Sequence, residues 1–198
     1  LGYGAVDYEY SIGKYEVTAA QYTEFLNAVA ATDEYGLYHS DMDTAANSYG
    51  CNILRSGTPG AYTYTVDSAW ADRPVNFVSW GSAARFANWL HNGQPGGLQG
   101  PDTTETGSYA LNGAISESDL LPVSRESGAT WALPTENEWY KAAYHKADGI
   151  TGNYFDYPTS SDDMPSNDLV EPDRGNNATY YIADGDYTLG SPYYRTEV

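Results

Sequence analysis

One cysteine, Cys51, is all that 198 residues carry. An intrachain disulfide and a multi-cysteine zinc site are thereby excluded. Positive charge is also scarce: nine Lys and Arg stand against 27 Asp and Glu, for a formal net charge of −18. Nucleic-acid binding rests on cationic contacts to phosphates, and this chain has no broad basic face to offer. Anionic membrane surfaces are disfavoured for the same reason, and no apolar run approaches the roughly 20 residues of a membrane span. There is no His-Glu-x-x-His, no Gly-x-Ser-x-Gly elbow around Ser79, and no Lys-Ser/Thr after Gly96, Gly97 and Gly100. Zincin, α/β-hydrolase and phosphate-loop chemistries lose their signatures with them. Heptads and fixed-period repeats are missing too.

What is abundant is aromatic and small polar. Hydrophobic residues make up 41%, aromatic residues 15%, and 20 residues are Tyr. Tyr packs its ring while keeping its hydroxyl wet, which suits a half-buried, loop-rich structure. The length supports a substantial core and a single domain over residues 1–198. An acidic field favours cations, Ca²⁺ among them, as partners. The acidic, Lys-poor composition points to an extracellular or periplasmic protein. The opening at Leu1 without Met or leader pattern reads as a mature or trimmed product.

Periodicity places the elements. Tyr8, Tyr10 and Ile12 alternate with Glu9 and Ser11, a half-buried strand pattern. Thr18 with Gln21 forms a capping box for a helix running to about residue 30, with Tyr22, Phe25, Leu26 and Val29 as its apolar stripe. Residues 31–60 read as loop. Tyr62, Tyr64 and Val66 alternate as half of a hairpin. Ser79 caps a helix over about 80–91 whose stripe is Ala83, Phe86, Ala87 and Leu90, with Gly93 as its stop. Residues 92–107 read as a long loop, and Tyr109, Leu111 and the surroundings of Val123 as short strands. Trp131 to Leu133 are strand-like and Pro134 ends them. Thr135 with Glu138 then closes a second capping box for a helix over about 136–146, with Trp139, Ala142 and Ala143 on one face. Trp80, Trp89 and Trp139 are expected to anchor their helices. Two or three helices with many short strands and long loops define an α+β class.

Leu133-Pro-Thr-Glu-Asn-Glu-Trp-Tyr-Lys-Ala-Ala143 resembles the hallmark of the sulfatase-modifying-factor family, the formylglycine-generating enzyme domain. Ile12-Gly-Lys-Tyr-Glu-Val-Thr18 with Gln21-Tyr22 and Phe25-Leu-Asn27 is similar to that family's opening strand and first helix. Arg73-Pro-Val-Asn-Phe-Val-Ser-Trp80 running into Ala84-Arg-Phe-Ala-Asn-Trp-Leu90 resembles its second strand–helix unit. The three blocks stand in family order. The resemblance implies a C-type-lectin-like fold of the formylglycine-generating-enzyme type. It also implies that the family's C-terminal part is lacking, including its Asn…Trp-Glu-Trp stretch and Arg-Gly-Gly-Ser strand. Central strands would then come from a further segment or another chain, because an open sheet edge invites pairing.

The family's activity is copper-dependent oxidation of a sulfatase cysteine to formylglycine, with Cu(I) held by a cysteine pair, soft ligands for a soft ion. This chain has no such pair, so copper is not expected, no catalytic residue is assigned, and Cys51 reads as an ordinary packed cysteine. His39, His91 and His145 show no metal-ligand spacing; His91 and His145 fall at helix ends, where the dipole favours them. Glu136 and Glu138 read as capping and dipole-matching groups. The resemblance further implies structural Ca²⁺ in the stretch after the third helix, where Asn177, Ala178, Asp184 and Asp186 supply oxygen-bearing positions of the kind a hard cation takes. A solvated Asp/Gly turn is the alternative there. Asn177-Ala178-Thr179 is also a glycosylation sequon, which conflicts with Asn177 as a ligand. Asp162 and Asp163 sit in an acidic loop with no third ligand.

Together these readings point to an exported, non-catalytic binding or scaffold module that assembles with a protein partner or with itself. The alternatives are the N-terminal part of a copper-dependent formylglycine-generating oxidase and, from fold alone, a lectin-like glycan binder.

Overall fold

Short elements joined by long irregular segments make up the computed structural model, which describes residues 3–150, 152–170, 172, 175–182 and 186–198. The chain forms two compact units, one of residues 15–133 with 197–198 and one of residues 1–14 with 134–196. Helix and strand are mixed in the α+β manner.

In the unit of residues 15–133, α1 (Ala19–Val29) begins at the predicted capping box: Thr18 Oγ1 accepts from Gln21 N–H and the Gln21 side chain accepts from Thr18 N–H. Tyr22, Phe25, Leu26 and Val29 are buried as the periodicity requires. They meet Phe86 and Trp89 of α3 (Trp80–His91), with Phe25 5.2 Å from Phe86 and 5.3 Å from Trp89 between ring centres. β1 (Ile53–Ser56) and β2 (Thr63–Val66) form an antiparallel hairpin with Ile53 opposite Val66. Ile53 and Tyr64 close the core from the hairpin side. The edge of β2 is covered by one amide: Asn27 of α1 donates Nδ2–H to Tyr64 O and accepts from Tyr64 N–H, as a neighbouring strand would. α2 (Ser68–Ala71) and α4 (Glu117–Leu120) are single turns capped by Asp67 and Ser116.

A buried polar network fixes the loop after α3. Arg85 and Glu105 are 2% and 4% exposed and pair through two bonds, Nε to Oε1 at 2.7 Å and a terminal guanidinium nitrogen to Oε2 at 2.9 Å. The carboxylate also accepts from Thr104 Oγ1 and from Gly113 N–H. Asn88, fully buried, donates to Thr104 O and Tyr109 O and accepts from Tyr109 N–H. Asn88 and Glu105 thereby satisfy backbone groups at Thr104, Tyr109 and Gly113 that no strand ladder pairs.

In the unit of residues 1–14 and 134–196, α5 (Glu136–Tyr144) starts at the second predicted capping box, with Thr135 Oγ1 accepting from Glu138 N–H and the Glu138 carboxylate from Thr135 N–H. β3 (Tyr181–Ile182) and β4 (Asp186–Tyr187) pair antiparallel.

Several expectations need correction. Tyr8–Ile12, Tyr15–Val17, Val75–Val78 and Trp131–Leu133 are not strands; only isolated bridges form nearby, such as Thr18 with Pro74. Tyr109 likewise pairs with Arg125 in a single bridge. Of the alternating residues only Tyr10 is half-buried; Tyr8 and Tyr10 bond to Glu138 of α5 rather than to a strand. The segment 31–60 contains β1, and the segment 92–107 contains the five-residue helical turn Pro101–Glu105. On α3 the buried set is Gly81, Ser82, Ala84, Arg85, Ala87, Asn88 and Trp89; of the predicted stripe only Ala87 belongs to it, while Ala83, Phe86 and Leu90 are half-buried, because polar Arg85 and Asn88 are buried with partners. On α5 the expected apolar face is reversed: Trp139 is 50% exposed and Ala142 is exposed, while Glu138 is buried. Trp80 is 43% exposed and meets Tyr109 edge-on, so of the three helical tryptophans only Trp89 is buried.

Glu105→Gln leaves the buried Arg85 charge without its counterion. It is expected to cost about 3–5 kcal/mol. Urea unfolding at unchanged m-value reads the loss; a cost under about 1 kcal/mol would mean that the pair does not hold this loop.

Candidate functional site

The thiol comes first. Cys51 is 0% exposed and lies in the core cluster with Leu37, Met42 and Ile53, the small-hydrophobe role expected of it. A Cu(I) centre of the thiolate type needs two soft ligands. The 198 residues supply one sulfur of that kind, and packing keeps it from solvent. The donor set does not fit the metal.

The expected calcium residues are only partly described. Asn177 forms a parallel bridge with Ser166, Ala178 N–H donates to Ser166 O, and Asn176 reaches Thr159 Oγ1. Asp186 contributes backbone to β4, opposite Ile182. Asp184 lies outside the described residues. Among the described residues, no three His, Cys, Asp or Glu side chains gather into a metal-holding group. Asp162 pairs with Lys146 at 2.7 Å and accepts from Asp156 N–H; the Lys146 bond, then the backbone bond, holds its carboxyl below the ordinary range. The histidines stay apart. His39 caps a 3₁₀ turn, while His91 ends α3 and His145 caps the end of α5, as expected from sequence.

α5 carries the most organised surface feature, in a way that the sequence pattern does not display. The N-terminal segment is strapped along it. Gly4 N–H donates to Asn137 Oδ1 at 2.9 Å, Lys141 Nζ donates to Val6 O, Tyr8 donates its hydroxyl to Glu138 Oε1 at 2.8 Å, and Tyr10 donates to Glu138 O. Burial, and then the nearby Glu138 charge, pushes the Tyr10 hydroxyl above its ordinary pKa. Gly4 has φ +84°, and a Cβ there would stand 2.5 Å from the Tyr154 hydroxyl oxygen, so only glycine fits this close approach. Beside the strap runs a cleft of about 620 Å³, lined by Tyr3, Tyr140, Lys141, His145 and Tyr154 among others. Tyr140 is 5.7 Å from Tyr3 and 5.2 Å from Tyr154 between ring centres, and His145 is 5.5 Å from Tyr154.

Sequence reasoning missed this cleft. Its walls come from residues some 130 positions apart, and no local periodicity links them. The one signal at hand was the alternation of Tyr8 and Tyr10, which reports the face laid on α5.

The sulfatase-modifying factor enzyme 1-like domain family matches residues 6–192, nearly the whole chain and parts of both units, and the chain belongs to that family. No curated protein and no solved structure gives a significant match. No helix among the described residues is long and apolar enough to cross a membrane.

Glu138 both closes the cap and receives Tyr8. Glu138→Ala is expected to cost about 2–3 kcal/mol and Tyr8→Phe, on a half-exposed ring, about 1 kcal/mol. Thermal or urea unfolding of both variants measures the difference; equal losses would contradict the double role.

Proposed function

We propose that this sulfatase-modifying-factor-type domain is a non-catalytic, exported binding or scaffold module that engages a protein partner or further copies of itself. The observation that carries the reading is Cys51: the one sulfur able to serve as a thiolate is packed in the core at 0% exposure. Exposed apolar side chains such as Leu121 at 76% and Trp131 at 57% support an interaction role. The net charge of −18 supports a place outside the cytoplasm and argues against nucleic acid. The C-type-lectin-like form of the fold belongs to the same reading, supported by family membership and by the order of capped helices and hairpin.

Cu(I), oxygen, a thiol reductant and a peptide bearing a sulfatase-type cysteine provide the test. The chain is expected to return the peptide unoxidised. An aldehyde at that cysteine would select the formylglycine-generating oxidase instead.

Calcium is proposed as a structural partner at Asn177, Ala178, Asp184 and Asp186. The irregular backbone around Asn177 supports it, since loops leave carbonyl oxygens available. Calorimetric titration with Ca²⁺ is expected to show binding and a raised Tm. Equal Tm with Ca²⁺ and with chelator would remove the site.

A further inference from the structure

The cleft along α5 contrasts with the acidic balance of the chain. Only nine residues are Lys or Arg, yet the lining includes Lys141 and His145 and, among the described residues, no Asp or Glu. Lys141 donates one of its three N–H groups to Val6 O and has no other partner among the described residues, so two charged donors remain. His145 accepts Ala147 N–H at Nδ1, which makes Nε2 the donor of the neutral ring. Tyr3, Tyr140 and Tyr154 add flat faces and hydroxyls, and Tyr3 is 59% exposed. Asp148, three positions after His145, has its two oxygens occupied by Ile150 N–H and Asn153 Nδ2–H and does not line the cleft. More distant carboxylates are screened beyond about 8 Å at physiological ionic strength, while Asp148, close enough to act on His145, and Glu138, holding Tyr8, are both engaged in hydrogen bonds.

We infer that this cleft binds a ring-bearing anion of the acidic-sugar class: Lys141 takes the carboxylate, His145 and the tyrosine hydroxyls take hydroxyl groups, and the tyrosine rings pack against the apolar face of the ring. An ammonium gives a charge-assisted bond to a carboxylate, and the mixture of aromatic faces and convergent donors is that of a small-ligand site. The inference deepens the binding-module reading by naming the ligand class of one surface.

The probes are methyl β-glucuronide and its neutral counterpart methyl β-glucoside, titrated into the full chain and followed by calorimetry and by NMR shifts of the tyrosine rings. The glucuronide is expected to bind more tightly than the glucoside. Lys141→Gln keeps a donor for Val6 O and removes the charge. It should weaken the glucuronide by about tenfold, the order of one charge-assisted bond, and leave the glucoside unchanged. Tyr3→Ala, at an exposed position, should weaken both. Circular dichroism and Tm confirm that each variant is folded. Absence of binding by either sugar, or undiminished glucuronide binding by Lys141→Gln, overturns the inference. Neither result touches the non-catalytic reading, which stands or falls on the copper assay.

Discussion

A chain with so little regular structure must satisfy its buried backbone groups with side chains, and that constraint organises everything else in this protein. Asn27 stands in for a strand beside Tyr64, and Asn88 does the same for Thr104 and Tyr109. Glu105 receives Gly113 N–H while neutralising Arg85. Asp33, in the left-handed region at φ 54°, accepts from Leu37 and Tyr38 N–H, and burial raises its carboxyl above the ordinary range despite those bonds. An unmade bond at any of these positions would carry the desolvation penalty of a buried polar group, so each amide or carboxylate specifies a loop rather than merely filling space.

The same economy appears at α5. Glu138 satisfies the helix N-terminus with one oxygen and holds Tyr8 with the other, and its backbone carbonyl holds Tyr10. Asn137 and Lys141, which carry no apolar signal, tie down Gly4 and Val6. The family hallmark segment thus works through its polar residues. Its tryptophan stays half exposed, and the surface it leaves beside Tyr140 and Tyr154 is a cleft rather than a packed core.

Local signals were legible. Both capping boxes, the stripe of α1, the cap and glycine stop of α3 and the strand at Tyr64 follow from spacing alone, because a cap or a stripe is decided within a few residues. Gly93 takes φ +82°, as a helix stop requires. What failed was long-range. Alternation at Tyr8–Ile12 and apolarity at Trp131–Leu133 suggest strands, but a strand needs a pairing partner that local sequence does not reveal, and Tyr8, Ile12 and Trp131 stay exposed. Buried Arg85, Asn88 and Glu138 defeat a hydrophobic-stripe reading, because a polar side chain enters a core only when distant partners meet it. The cleft too depends on distant chain segments and is visible only in the structure.

The account turns on a sealed thiol, and reaction of Cys51 with a small thiol reagent tests that most directly. The native chain is expected to stay unlabelled over the time in which the denatured chain reacts completely at its single cysteine. Full labelling of the native chain would show the sulfur open to solvent and would contradict the packed-cysteine observation on which the non-catalytic reading rests.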